Sequence, residues 1–139
     1  GTTGYFPNKT TVCVFDDYHG EYRDLGDPCI DDKSNTTFST QICNIIKIPG
    51  KELYVACGDR WGIDEDVPER AGSVIREFEK GFENYQPDRT PRTVHEPHKC
   101  LQKHAENTSV SRYVFLPIEW DGEKPGIRWR DEWRIEDFD

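Results

Sequence analysis

Methionine is missing from this sequence, and so is any long apolar run. A helix that crosses a membrane needs about 18 or more consecutive apolar residues, and no stretch approaches that. No charged-then-apolar leader opens the chain. It begins at Gly1-Thr2-Thr3-Gly4 without an initiator Met, as expected of a start inside a longer protein. Positive charge is scarce as well: 18 Lys and Arg stand against 27 Asp and Glu, for a net charge of −9. Nucleic-acid phosphates need a basic stripe, so charge argues against nucleic acid as a partner, and equally against an anionic membrane surface.

Several site chemistries lack their motifs. Gly72 and Gly81 are isolated, so no glycine loop cradles phosphate. Asp64-Glu65-Asp66 does not continue into the 12-residue calcium loop. His95, His98, Cys100 and His104 cluster, but H-x2-H-x-C-x3-H matches no closed zinc pattern and the stretch is interrupted by Pro97. Cys100 beside His95 or His104 lacks an orienting acid for nucleophilic work. No metal and no cofactor are expected.

What is present belongs to a modest β protein. With 34% apolar and 32% charged residues, 139 residues make one domain with a limited core. The 12% aromatic content, including Trp61, Trp120, Trp129 and Trp133, opposes disorder. Such rings serve a β core or stack on sugars, whose apolar faces pack on indoles. Cys13, Cys43 and Cys57 lie in apolar runs, where free Cys acts as a small hydrophobe. With Cys29 and Cys100 they make an odd count, which favours a reducing, cytoplasmic compartment over a disulfide scaffold. The sequons at Asn8, Asn35 and Asn107 leave secretion open.

Strand-like stretches cover residues 11–16, 41–48, 52–58, 112–119 and 126–133, and a short one falls on 1–6. In the last long one, Ile127, Trp129 and Trp133 alternate with Arg128, Arg130 and Glu132. Pro49-Gly50-Lys51 and Asp121-Gly122-Glu123-Lys124-Pro125 read as hairpin turns. Hairpins in series make antiparallel meanders, the blades of propellers. Residues 64–110 differ: Val67, Ala71, Val74, Ile75, Phe78, Phe82 and Tyr85 recur at helical spacing, which predicts a helix over 68–84 followed by a Pro-rich loop.

Three ordered groups of segments carry a resemblance. The first is Thr3-Gly4-Tyr5-Phe6-Pro7-Asn8, then Gly20-Glu21-Tyr22-Arg23-Asp24-Leu25-Gly26-Asp27-Pro28-Cys29. The second is Thr36-Thr37-Phe38-Ser39-Thr40-Gln41 with Pro49-Gly50-Lys51 and Gly58-Asp59-Arg60-Trp61. The third is Ser111-Arg112-Tyr113-Val114-Phe115-Leu116-Pro117-Ile118 with Trp129-Arg130-Asp131-Glu132-Trp133. Together they resemble the C-terminal portion of glycoside hydrolase family 43, in the exo-β-1,3-galactanase-like branch.

The resemblance implies an all-β fold. Residues 1–139 would form roughly two blades of a five-bladed β-propeller, with a helical insertion at 64–110. It implies an inverting glycosidase acting on galactan, arabinan or xylan side chains, whose main carboxylates lie on blades outside this chain. Gln41 falls where the branch places an amide facing the reacting sugar, where it would position water or substrate. Thr3 and Gly4 match a segment lining the pocket. Asp59, Arg60 and Trp61 would clamp a sugar hydroxyl or brace the blade. The expected partners are an oligosaccharide and the missing N-terminal blades, supplied by a second chain or replaced by self-association. The alternative is a non-catalytic carbohydrate-binding or interaction module.

Overall fold

The structure, a computed structural model, describes residues 7–60, 73, 75–76 and 108–139. Among them lie six strands: β1 (Val12–Val14), β2 (Arg23–Gly26), β3 (Gln41–Lys47), β4 (Tyr54–Arg60), β5 (Arg112–Asp121) and β6 (Lys124–Ile127). β1 and β2 form an antiparallel hairpin. The other four form one antiparallel meander in the order β3-β4-β5-β6. The expected strand over 1–6 lies outside the described residues. So does nearly all of the expected helix over 68–84, of which Ser73, Ile75 and Arg76 are described and are helical.

The β3–β4 and β5–β6 turns each follow from a glycine. Gly50 sits at φ 79° between β3 and β4, and Gly122 at φ 60° between β5 and β6. Asp121 pairs with Lys124, so Gly122 and Glu123 make a two-residue loop. Glycine at its first central position is what a type II′ turn needs. β6 is shorter than the spacing of Ile127, Trp129 and Trp133 predicts. Its ladder with β5 ends at Ile118↔Ile127, one residue before Pro117, which has no N–H to give. Past that point the two indoles are anchored separately. Trp129 Nε1 donates to Asp131 (2.9 Å), and Trp133 Nε1 donates to the Phe115 carbonyl (2.8 Å).

Strand alternation sorts the sheet into two faces. Ala56 pairs with Leu116, Gly58 with Val114 and with Ile42, and Ile118 with Ile127. These residues form the core face, where Ala56, Leu116, Ile118 and Ile127 cluster with Cys29 and are covered by Phe38 and Trp129. Cys29 arrives on a segment that extends the β6 edge. Ile127 donates its N–H to the Pro28 carbonyl (2.7 Å) and accepts from the Ile30 N–H (3.0 Å).

The cysteines correct one expectation. Cys13 and Cys43 are exposed and Cys57 is half-buried; among the described residues the buried thiol is Cys29. A bulge between Ile42 and Asn44 explains Cys43, because it takes that residue out of the alternation.

Candidate functional site

Gln41 opens β3 at the end of a tightly held turn. Asn35, Thr37, Phe38 and Ser39 all have φ between 55° and 58°. A β-branched Thr avoids this left-handed region unless its surroundings impose it. Here the imposing group is Asp32. One carboxylate oxygen accepts from the Ser34 N–H (3.0 Å) and the Ser34 hydroxyl. The other accepts from the N–H groups of Thr36 (2.8 Å) and Phe38 (3.1 Å). Burial by itself would raise the Asp32 pKa. These hydrogen bonds outweigh it and hold the carboxyl below its usual range. The buried Thr37 hydroxyl donates to the Asn8 carbonyl (2.7 Å), which ties the turn to the chain start.

The turn delivers Gln41 opposite Asp59, and Asp59 in turn pairs with Tyr113. An amide, a carboxylate and a phenol therefore form a row across three strands, on the face opposite the core. Gly58 makes this approach possible: a Cβ there would lie 2.8 Å from the Gln41 carbonyl oxygen and collide with the Thr40 methyl. Tyr113 is 78% exposed, so the row is open at that end. Each member offers hydrogen bonds to a hydroxylated ligand, the amide in both directions at once.

Arg60 follows Asp59 directly, so alternation turns it to the core face, where it pairs with Arg112. Its guanidinium lies over the Trp129 ring, 4.8 Å from the centroid, and that ring also meets Phe38 at 5.8 Å. Burial, and then the like charge of Arg112, lower the Arg60 pKa. Among the described residues its buried Nε meets no hydrogen-bond acceptor. Of the expected site residues, then, the structure joins Gln41 with Asp59 and separates both from Arg60. Thr3, Gly4 and Trp61 lie outside the described residues.

Asp32 and Tyr113 escaped the sequence reading. A D-x-S pattern ahead of a Ser/Thr-rich run is a local signal for the first. Nothing local marks Tyr113, because its place in the row depends on register across β4. Among the described residues no group of three or more His, Cys, Asp or Glu is arranged to hold a metal. No described helix is long and apolar enough to cross a membrane.

No protein-family model matches the sequence. No curated protein matches it at a significant level. Solved structures do. The GH43 β-1,3-galactosidase BT3683 with galactodeoxynojirimycin superposes with a TM-score of 0.55 over 95% of this chain, at 22% identity. The GH43 β-1,3-galactosidase BT0265 superposes with a TM-score of 0.58 over 97%, also at 22% identity. This fixes the fold: part of a β-propeller. The chain spans 26% of the first structure and 20% of the second. A four-stranded antiparallel meander such as β3-β4-β5-β6 is the blade unit of that architecture.

Proposed function

We propose that residues 1–139 are the C-terminal part of a glycoside hydrolase propeller of the family 43 kind, with 64–110 as an insertion. The whole protein hydrolyses the glycosidic bonds of plant-type galactan, arabinan or xylan side chains with inversion. The observation that carries this is the propeller fold together with the Gln41–Asp59–Tyr113 row at the end of a blade. Both superposed structures are of β-1,3-galactosidases, which favours a galactose-type sugar among the three. Inversion needs a carboxylic acid at the leaving oxygen and a carboxylate that activates water, about 6.5–9.5 Å apart. The row contains one carboxylate, so the principal pair belongs to the other blades. The row supplies one wall of the funnel.

Within that wall, Gln41 holds the attacking water or a sugar hydroxyl by donating and accepting together. Asp59 accepts from a second hydroxyl. Thr3, Gly4 and Trp61, outside the described residues, are carried as further sugar contacts by the resemblance alone. Arg60 braces the blade through Trp129. The test is the protein completed with its missing blades. Gln41→Ala should lower kcat about 10²-fold on an aryl β-galactoside with a smaller change in KM, the size seen when one polar group positioned in the transition state is removed. The 139-residue chain alone should show no turnover. An unchanged kcat for Gln41→Ala, or hydrolysis by the isolated chain in a contaminant-free preparation, would falsify the reading.

A further inference from the structure

The tip of the β1–β2 hairpin holds three large rings that take no part in the core. Phe15 is 44% exposed, Tyr18 72% and Tyr22 56%. The rings hold one another: Phe15 meets Tyr22 at 4.9 Å between centroids and Tyr18 at 6.5 Å. The Tyr22 hydroxyl donates to the Tyr18 carbonyl at 3.0 Å. The backbone beneath is fixed as well. Asp17 accepts from the His19 N–H on its side chain (2.8 Å) and from the Gly20 N–H on its carbonyl (2.8 Å). The neighbouring carboxylates are Asp16, Asp17 and Glu21, all exposed. Arg23, the nearby cation, is already paired with Glu123 at 2.7 Å.

We propose that this tip is a platform for a neutral oligosaccharide, separate from the row on the four-stranded sheet. A pre-ordered aromatic surface gives the apolar face of a pyranose or furanose ring something to stack on at little entropic cost. The flanking carboxylates are acceptors for hydroxyl donors. Their charge repels uronate-rich or sulfated chains, so the sugar is neutral. A compact cation is the rival ligand for rings among carboxylates. Cation recognition, however, uses rings standing around a shared space. These rings touch each other and present a surface. In the whole enzyme the platform would hold a part of the polysaccharide remote from the bond being cleaved.

The test is calorimetric titration of the full 139-residue chain. The ligands are neutral galactan, arabinan and xylan oligosaccharides, an oligogalacturonate, and choline. A neutral oligosaccharide should bind. Tyr18→Ala should weaken it about tenfold, and Tyr18→Trp should retain it. Tyr18 is mostly exposed, so both variants should keep the parent circular dichroism. Four results would overturn the platform: no neutral saccharide binds; choline or the oligogalacturonate binds in its place; Tyr18→Ala binds as well as the parent; or Gln41→Ala weakens binding while Tyr18→Ala does not, which would seat the sugar on the sheet row.

Discussion

Within six residues, Asp32 accepts from the backbone of Ser34, Thr36 and Phe38 and from the Ser34 hydroxyl. An Asn there keeps one acceptor oxygen and brings an NH2 where a carboxylate oxygen now accepts two amides. Asp32→Asn should therefore cost about 1.5–3 kcal/mol of unfolding free energy, read from urea midpoints at neutral pH. The pH dependence has a definite sign. The folded pKa is depressed, so its stabilisation is complete above the unfolded carboxylate value of about 3.9 and is lost as pH falls through the folded value. The gap between the parent and the variant should hold from pH 7 to 5 and narrow below pH 4. A gap that widens in acid would contradict this origin.

Cys29 makes a second test at the residue scale. Burial, then the nearby charges of Asp27 and Asp32, push its thiol up to about 12. The thiolate is the reactive form, so Cys29 should resist iodoacetamide in the folded chain while Cys13 and Cys43, both exposed, are alkylated. Peptide mass mapping before and after denaturation reads this directly. The sequence misassigned these thiols because an apolar neighbourhood along the chain says nothing about which side of a bulged strand a residue occupies.

At the element scale, adjacent residues of β5 should behave as opposites. Leu116 is 5% exposed on the core face, and Phe115 is 53% exposed on the other. Leu116→Ala should cost about 2–5 kcal/mol through lost burial and the cavity left behind. Phe115→Ala should cost under about 1 kcal/mol, since the Trp133 indole bonds to its backbone carbonyl and not to its ring. Equal effects on thermal midpoints would mean the face assignment is wrong. Gly58→Ala belongs to the same scale. The added methyl meets the Gln41 carbonyl and the Thr40 methyl, so about 1–3 kcal/mol of overpacking should reach the residue that opens the candidate site.

The elements also show what the chain spells out locally. β3, β4 and β5 were legible within about two residues at their ends, because β-branched and aromatic runs bounded by Pro-Gly and Asp-Gly turns are local signals. β2 was not, since Arg23-Asp24-Leu25-Gly26 carries no β-branched residue and pairs only because the hairpin places it opposite β1. β6 was extended too far because the alternating Trp129 and Trp133 imitate a strand while serving two separate anchors. The left-handed turn before Gln41 was illegible for a similar reason. Thr and Phe oppose that conformation, and it is held by contacts the local pattern does not spell out, the Asp32 carboxylate foremost and the Thr37–Asn8 bond with it. The identity of Gln41 came from resemblance, whereas its pairing with Asp59 and Tyr113 needed the register.

At the scale of the whole molecule, the described sheet leaves a liability. Among the described residues β3 pairs with β4 alone, so its outer edge carries no ladder. Ile45 and Ile46 on that strand are 55% and 40% exposed, one on each face, and Phe115 extends the apolar surface on the face opposite the core. An open, apolar edge of this kind templates pairing with another chain. In a propeller such faces are covered by neighbouring blades and the remaining edges are short and protected, and the superposed structures are about four to five times as long as the part this chain matches. At tens of micromolar the 139-residue chain should therefore self-associate in light scattering, and it should return to monomer when co-expressed blades are supplied and bind it one to one. Ile46→Lys places a charge on the edge without touching the core face, and should raise the dissociation constant of the self-associated form at least about tenfold. A parent chain that stays monomeric throughout, or an Ile46→Lys variant that associates as strongly as the parent, would mean the edge is satisfied within the chain itself, and the missing-blade explanation would lose its physical basis.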